Sequence, residues 1–186
     1  MSAFKNLPNI LSVIRILLIP VFVIAYFSYE GTGVYFLPAA ILLASGLTDF
    51  LDGFIARKYH LESYLGKILD PLADKLTQFT VCLVVGFEVK VFLCLAALYF
   101  VKEFCMMIAG ILLTHKNIKI SGSKWWGKVG TGVFYAVMFV VVLFPNLSDN
   151  VKFYLCGAMM TMIIMVFILY IPEYFKLVRS NKVSEE

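Results

Sequence analysis

The chain contains six long stretches of mostly apolar residues, and each is long enough to cross a bilayer as a helix, which takes about 20 such residues. Hydrophobic residues make up 61% of the 186 residues and charged residues only 15%. A water-soluble domain of this size cannot bury that much apolar surface. We therefore predict one all-α membrane domain over residues 1–186, a polytopic protein with six transmembrane helices at about 8–27, 34–56, 70–87, 91–114, 127–144 and 151–171.

Lysine and arginine are distributed unequally between the two sides of this arrangement. Eleven lie on the side that holds both termini, and the other side has only Lys90 and Lys152. Such a bias predicts that both termini face the cytoplasm. No transit peptide is visible, so we expect a bacterial cell membrane, with Ser2–Leu11 as a short interfacial helix that breaks at Pro8. The net charge of +4 is too small to indicate a nucleic-acid partner.

Charged residues occur inside or at the edge of these apolar stretches. A charge in hydrocarbon costs from about 2.5 kcal/mol upward, so intramembrane charges usually face the bundle interior and mark a site. The alternative is a set of internal ion pairs that only fixes helix packing. Eight such charges in a chain of this length favour a site. They are Arg15, Asp49, Asp52, Asp70, Asp74, Lys75, Lys102 and Glu103.

The acidic residues follow helical spacing and form two stripes. On a helix, residues separated by three, four, seven and eight positions share one face. The connection at 57–69 predicts that the two helices are neighbours, so that four carboxylates converge at their cytoplasmic ends. The first stripe holds Asp49, Asp52, Gly53, Ala56 and Arg57, and the second holds Gly66, Asp70 and Asp74.

Four neighbouring carboxylates favour bound cations, since like charges oppose each other's ionisation. Oxygen ligands select hard ions such as Mg²⁺ or Mn²⁺, and two ions held by aspartates are the usual device for in-line displacement at phosphorus. Arg57 suits a diphosphate. Close helix packing is the better explanation for each glycine taken alone, but together with the carboxylates we interpret Gly53, Ala56 and Gly66 as leaving room for a ligand.

The residues from Asp49 to Asp74 resemble the complete signature of the CDP-alcohol phosphotransferases, also called CDP-alcohol phosphatidyltransferases. The resemblance implies that CDP-diacylglycerol binds with its diphosphate on two metal ions, that an acceptor hydroxyl attacks the phosphorus carrying the lipid, and that CMP leaves. It implies a homodimer. It assigns metal binding to Asp49, Asp52, Asp70 and Asp74, the general base to Asp74, and the CDP-lipid to Asp52, Gly53, Ala56, Arg57 and Gly66.

Two further stretches are similar to the phosphatidylglycerophosphate synthase branch, which uses glycerol 3-phosphate. They are residues 6–12 with Arg15, and residues 69–75. The same stretches recur in cardiolipin synthases, which use phosphatidylglycerol. Two positions depart from the phosphatidylglycerophosphate synthase pattern. Lys102 stands where that branch usually has arginine, and residues 127–131 lack the second lysine that the branch usually has there. We rank glycerol 3-phosphate first as acceptor and phosphatidylglycerol second.

Four basic residues are candidates for binding the acceptor phosphate: Lys75, Lys102, Lys128 and Arg15. Alternatives exist for three of them. Lys102 can pair with Glu103, Lys128 can snorkel to the interface, and Arg15 can be a structural counter-ion for the aspartates. The rival function from another class is a divalent-cation transporter. The clustering of the aspartates at one end of the spans disfavours it, because an ion pathway needs polar groups at both ends.

Overall fold

The computed structural model describes residues 7–28, 34–58, 66–115 and 125–183. Within these ranges the side chains of 7, 8, 50, 52–58, 67, 68, 114, 115 and 177–183 lie outside the description. All regular structure in the described part is α-helical, as predicted. The helices are α1 (Leu7–Ser28), α2 (Phe36–Lys58), α3 (Gly66–Glu88), α4 (Val91–His115), α5 (Trp125–Leu143) and α6 (Asp149–Val183).

The bundle consists of three helical hairpins, α1–α2, α3–α4 and α5–α6, each closed by a short connection. Helix α1 also packs against α3, α2 against α5, and α4 against α6, so the six helices form a closed ring in the order α1, α2, α5, α6, α4, α3. Helices α3 and α5 touch across the middle. The ends of α1, α3 and α5 that lead into the short connections lie at one end of the bundle, and the ends of α2 and α4 that lead into the longer connections lie at the other.

Within the described residues, four helices are long and apolar enough to cross a membrane: the segments Asn9–Ser28, Val91–Leu113, Trp125–Leu143 and Asp149–Lys176. Helix α2 has a shorter apolar segment, Phe36–Asp49. The prediction of a helical membrane protein is confirmed, and four of the six predicted spans coincide with these candidate spans. Helices α2 and α3 are less apolar than these four segments because they carry the aspartates of the two predicted stripes.

The predicted interfacial helix is not separate from the first span where the structure describes it. Leu7–Leu11 belong to α1, and no break occurs at Pro8. Proline is tolerated in the first turn of a helix because its missing N–H would have no intrahelical partner there. Residues 2–6 of this prediction lie outside the described residues.

Aromatic and apolar side chains fill the bundle at the end with the short connections. Tyr26 packs edge-on against Tyr35, with ring centroids 5.1 Å apart, and its hydroxyl donates a hydrogen bond of 2.7 Å to Glu88 Oε2. The amide of Tyr35 donates to the carbonyl of Leu143 over 3.1 Å. These contacts join α1, α3 and α5 to the residue that precedes α2. Packing at this end therefore fixes the relative positions of the helices that carry the polar residues at the opposite end.

Candidate functional site

Several charged side chains that the structure describes gather inside the bundle, toward the end with the long connections. Asp49 lies in the second half of α2, and Asp70 and Asp74 lie in the first half of α3. At 1.5 Å per residue, these two are about 6 and 12 Å along α3 from its first residue. Asp49 is close enough to both for the three carboxylates to repel one another electrostatically. The predicted convergence therefore holds for these three residues.

Helix α1 supplies partners to two of the carboxylates. Arg15 is completely buried, and its Nη1 donates to Asp49 Oδ1 over 2.8 Å. Ser12, three residues earlier on the same face, donates its hydroxyl to Asp70 Oδ1. Of the two predicted roles for Arg15, this geometry matches the structural counter-ion.

The position of α1 corrects one expectation about the fold. The connection at 57–69 predicts that α2 and α3 are neighbours, whereas both pack mainly against α1. In the described part of the chain, α2 and α3 do not pack extensively against each other. A connection of this length leaves room for a third helix, and Arg15 and Ser12 fill the polar space between the two carboxylate helices.

Asp74 is the most enclosed of the three carboxylates, with 12% of its side chain exposed. Its Oδ1 accepts a hydrogen bond of 2.8 Å from Gln78 Nε2 and a longer one of 3.4 Å from the hydroxyl of Tyr135. Its Oδ2 lies 3.6 Å from Lys75 Nζ. Helices α3 and α5 therefore both fix the orientation of this carboxylate.

The lysines of α3 and α4 share one glutamate. Glu103 Oε1 lies 3.2 Å from Lys75 Nζ and also pairs with Lys102 Nζ. The two ammonium groups lie 5.5 and 5.4 Å from the centroid of the Tyr99 ring, which favours cations at its face. The predicted pairing of Lys102 with Glu103 is therefore present.

Lys128 differs from the other basic candidates. It is exposed near the beginning of α5, and the described contacts do not join it to the carboxylates. Nearby, Trp125 is 70% exposed and Trp126 packs against Tyr170. This environment is typical of a lysine that snorkels to the membrane interface.

Part of the predicted CDP-lipid site lies outside the described side chains. These residues are Asp52, Gly53, Ala56 and Arg57, whose backbone continues α2 as a helix to Lys58. Gly66 is described, is buried and begins α3. Each stripe thus lies on one continuous helix, as the spacing predicts. A narrow cleft between α1, α2 and α3 lies deeper in the bundle, near Leu18, Leu42 and Thr77, and none of the carboxylates lines it.

The donor chemistry fits a hard divalent cation. In the described contacts Asp49 and Asp70 each accept a hydrogen bond through Oδ1, and carboxylate oxygens are the ligands that such a cation prefers. The described side chains alone contain no group of three or more histidines, cysteines, aspartates or glutamates arranged to hold a metal ion. Asp52, the fourth predicted carboxylate, is not among them.

The sequence does not predict the roles of four uncharged residues of the site: Ser12, Gln78, Tyr99 and Tyr135. The signal was available for Gln78, because a buried amide inside an apolar span needs partners and Asp74 is one helical turn before it. No comparable local signal singles out Tyr99 or Tyr135 among the ten tyrosines. Their roles depend on how α4 and α5 pack.

Comparisons with known proteins identify one enzyme family. Residues 5–172 match the CDP-alcohol phosphatidyltransferase family. A Haemophilus influenzae protein named CDP-diacylglycerol–glycerol-3-phosphate 3-phosphatidyltransferase is 33% identical over 126 residues, which cover 65% of this chain and 58% of that protein. A Rickettsia felis protein of the same name is 46% identical over 72 residues, 39% of each chain.

Two mycobacterial proteins similar to this chain have a different name. A Mycobacterium bovis protein provisionally named cardiolipin synthase is 46% identical over 81 residues, which cover 44% of this chain and 37% of that protein. The matched regions span between 37% and 58% of the lengths of these three relatives.

Proposed function

This chain belongs to the CDP-alcohol phosphatidyltransferase family, and we propose that it transfers the phosphatidyl group of CDP-diacylglycerol to glycerol 3-phosphate with release of CMP. The observation that carries the proposal is the gathering of Asp49, Asp70 and Asp74 from α2 and α3 within one polar interior. Two of the similar proteins described above carry this activity in their names.

The aspartates have different tasks in this proposal. Asp49, Asp52, Asp70 and Asp74 would hold two Mg²⁺ or Mn²⁺ ions, and Asp52, Gly53, Ala56, Arg57 and Gly66 would line the CDP-lipid site. The bound cations would neutralise diphosphate charge and favour in-line displacement at phosphorus. Arg15 and Ser12 keep Asp49 and Asp70 oriented through the contacts from α1.

Asp74 acts as the general base. It accepts the proton of the acceptor hydroxyl as that oxygen forms a bond to the phosphorus carrying diacylglycerol. The bond from this phosphorus to the oxygen of CMP breaks, and CMP departs with that oxygen. Because Oδ1 is engaged by Gln78 and Tyr135, Oδ2, which lies 3.6 Å from Lys75 Nζ, is the oxygen that takes the proton in this proposal.

We propose that α2 and α3 also cross the bilayer. Each has 23 residues, or about 35 Å of helix, and each packs along α1, which is itself apolar enough to span. The charged ends then lie on the cytoplasmic side with both termini, as the positive charges predict. CMP leaves to the cytosol while the lipid product stays in the membrane. We also propose a homodimer, as the family resemblance implies.

A second candidate function is cardiolipin synthesis, with phosphatidylglycerol as acceptor. The observation in its favour is that Glu103 pairs with both Lys75 and Lys102, which reduces the positive charge available for a phosphomonoester. A phosphodiester carries less negative charge and needs less compensation. The mycobacterial relative carries this name.

The test is CMP release by the purified protein in detergent with Mg²⁺ and CDP-diacylglycerol. Glycerol 3-phosphate and phosphatidylglycerol are supplied in separate reactions, and Asp74→Asn provides the blank. Release with glycerol 3-phosphate alone supports the first function, and release with phosphatidylglycerol alone supports the second. Absence of CMP with both acceptors contradicts both functions, and metal uptake into vesicles without nucleotide would support the transporter instead.

A further inference from the structure

Four side chains form a closed ring of polar contacts that includes Asp74. Lys75 Nζ donates to the hydroxyl of Tyr99 over 3.1 Å, and this hydroxyl donates to Gln78 Oε1. Gln78 Nε2 donates to Asp74 Oδ1 over 2.8 Å, and Asp74 Oδ2 lies 3.6 Å from Lys75 Nζ, which closes the ring.

Three members of the ring are buried, whereas 35% of the Lys75 side chain is exposed, and the ring joins two hairpin partners. Gln78 is 2% exposed and Tyr99 is 5% exposed. Asp74 and Gln78 are one turn apart on α3, and Tyr99 lies on α4. Buried polar groups are costly unless they are hydrogen-bonded, so a fully connected network has one favoured arrangement.

The amide of Gln78 has a fixed direction in this arrangement. Tyr99 donates to the amide oxygen, so the NH₂ group must face Asp74. An amide is the neutral side-chain group that donates on one side and accepts on the other. An apolar side chain of the same length would fill the space without orienting the carboxylate.

We propose that Gln78 and Tyr99 are positioning residues for Asp74, in an inference that rests on the proposed function. Gln78 holds Oδ1 of the carboxylate, and Tyr99 holds Gln78. Their effect is to keep Oδ2 directed at the acceptor hydroxyl, while neither residue touches the CDP-lipid or the acceptor.

The first test is a pair of substitutions at Gln78. Gln78→Met keeps the side-chain length and removes both hydrogen bonds, and we expect kcat to fall by about tenfold or more. The KM values for CDP-diacylglycerol and the acceptor should stay within about twofold. Gln78→Glu can still accept from Tyr99, but it places a second carboxylate against Asp74. We therefore expect it to be less active than Gln78→Met.

The second test is the double variant with Tyr99→Phe. If Tyr99 acts on Asp74 mainly through Gln78, then Gln78→Met/Tyr99→Phe should be no more than about twofold slower than Gln78→Met alone. Tyr26→Phe is the matched control, because it removes a buried tyrosine hydroxyl bond, to Glu88, at the opposite end of the bundle. We expect it to leave kcat unchanged.

The outcomes separate the inference from the function it rests on. If the unsubstituted protein releases no CMP with either acceptor, the proposed function fails. If it does release CMP and Gln78→Met keeps its kcat, or changes only a KM, the positioning role is wrong. A loss of kcat in Tyr26→Phe equal to that in Tyr99→Phe would likewise assign the effect to general destabilisation. Tyr99→Phe, the milder change, replaces Gln78→Met in this comparison if the latter does not fold.

Discussion

Arg15 and Asp49 illustrate how single residues organise this bundle. The guanidinium is completely buried, whereas 31% of the Asp49 side chain remains exposed. A buried charge is tolerated when it is paired and hydrogen-bonded, and Asp49 provides that pairing across 34 positions of sequence. The contact therefore stabilises the packing of α1 on α2 and orients a proposed metal ligand at the same time.

Arg15→Met should destabilise the protein by about 3 kcal/mol, because it leaves the Asp49 carboxylate without its counter-ion. Thermal unfolding in detergent measures this loss. The double variant Arg15→Met/Asp49→Asn should recover part of the stability, since it removes the orphaned charge as well. Unchanged stability together with a raised acceptor KM would instead assign Arg15 to the acceptor phosphate.

Asp74→Asn should lower CMP release by about 10²–10⁴-fold, the usual contribution of a general base. Asparagine keeps the shape, and its carbonyl can still accept from Gln78, so we expect CDP-diacylglycerol binding to persist. Equilibrium binding of the CDP-lipid, measured beside turnover, checks this. Loss of binding would indicate that Asp74 is mainly a metal ligand.

At the residue scale, helical spacing is the property that can be taken directly from the sequence. The aspartates fall at helical intervals, so their common face could be predicted without a structure. Among their partners, Arg15 is predicted as a counter-ion, but Ser12 and Tyr135 are not, because they reach the aspartates from helices whose rotation is fixed by packing. The pairing of Lys102 with Glu103 could be predicted in part, because the two residues are neighbours in sequence. The sequence does not decide between this pairing and binding of the acceptor phosphate.

At the scale of elements, the tightest feature is the α3–α4 hairpin. Only Val89 and Lys90 separate the two helices, and their carbonyls accept from Phe92 and Leu93 at the first turn of α4. A Cβ atom on Gly86 would lie 2.6 Å from Leu93 Cδ2 and 3.0 Å from the backbone nitrogen of Leu93. This glycine allows the two helices to approach closely.

Gly86→Ala should therefore cost about 1–3 kcal/mol of stability, the usual cost of overpacking. The matched control is Gly132→Ala on α5, where a Cβ meets nothing within 4 Å. That variant should be neutral or slightly stabilised, because alanine favours the helix. Thermal unfolding of both in the same detergent compares them. Equal stability of the two variants would contradict this prediction, because it would mean that α4 can move away from the added methyl group without loss of stability.

The bounds of the elements were predictable to within a few residues wherever an apolar stretch ends in turn residues. Two ends were not. Helix α3 begins at Gly66 rather than near Asp70, and α6 continues to Val183 rather than ending near 171. Hydropathy measures the part of a helix suited to lipid, whereas the hydrogen-bonded helix can extend into polar sequence beyond it.

The whole molecule is a ring in which sequence neighbours form hairpins and α1 separates α2 from α3. The number of helices could be predicted from apolar stretches, but their order around the ring could not, because hydropathy carries no information about lateral neighbours. The two helices that hydropathy alone assigns least well to the membrane, α2 and α3, are the ones that carry the aspartates. Function and membrane insertion place opposite demands on their composition.

The proposed orientation predicts which ends of the bundle a membrane-impermeant maleimide can reach. In a background with the exposed Cys94 and Cys105 replaced by alanine, Ser148→Cys in the α5–α6 connection should react in intact bacterial cells. Lys128→Cys at the opposite end should react only after permeabilisation. Both positions are exposed. The reverse pattern would invert the topology.

The division into hairpins also bears on how the protein can be made. Every acidic side chain of the site lies before residue 116, in the first two hairpins, and the third contributes Tyr135. Transmembrane helices inserted separately can associate afterwards within the lipid. A gene split in the α4–α5 connection should accordingly yield two polypeptides that reassemble when they are produced together, with the longer one already carrying the acidic centre.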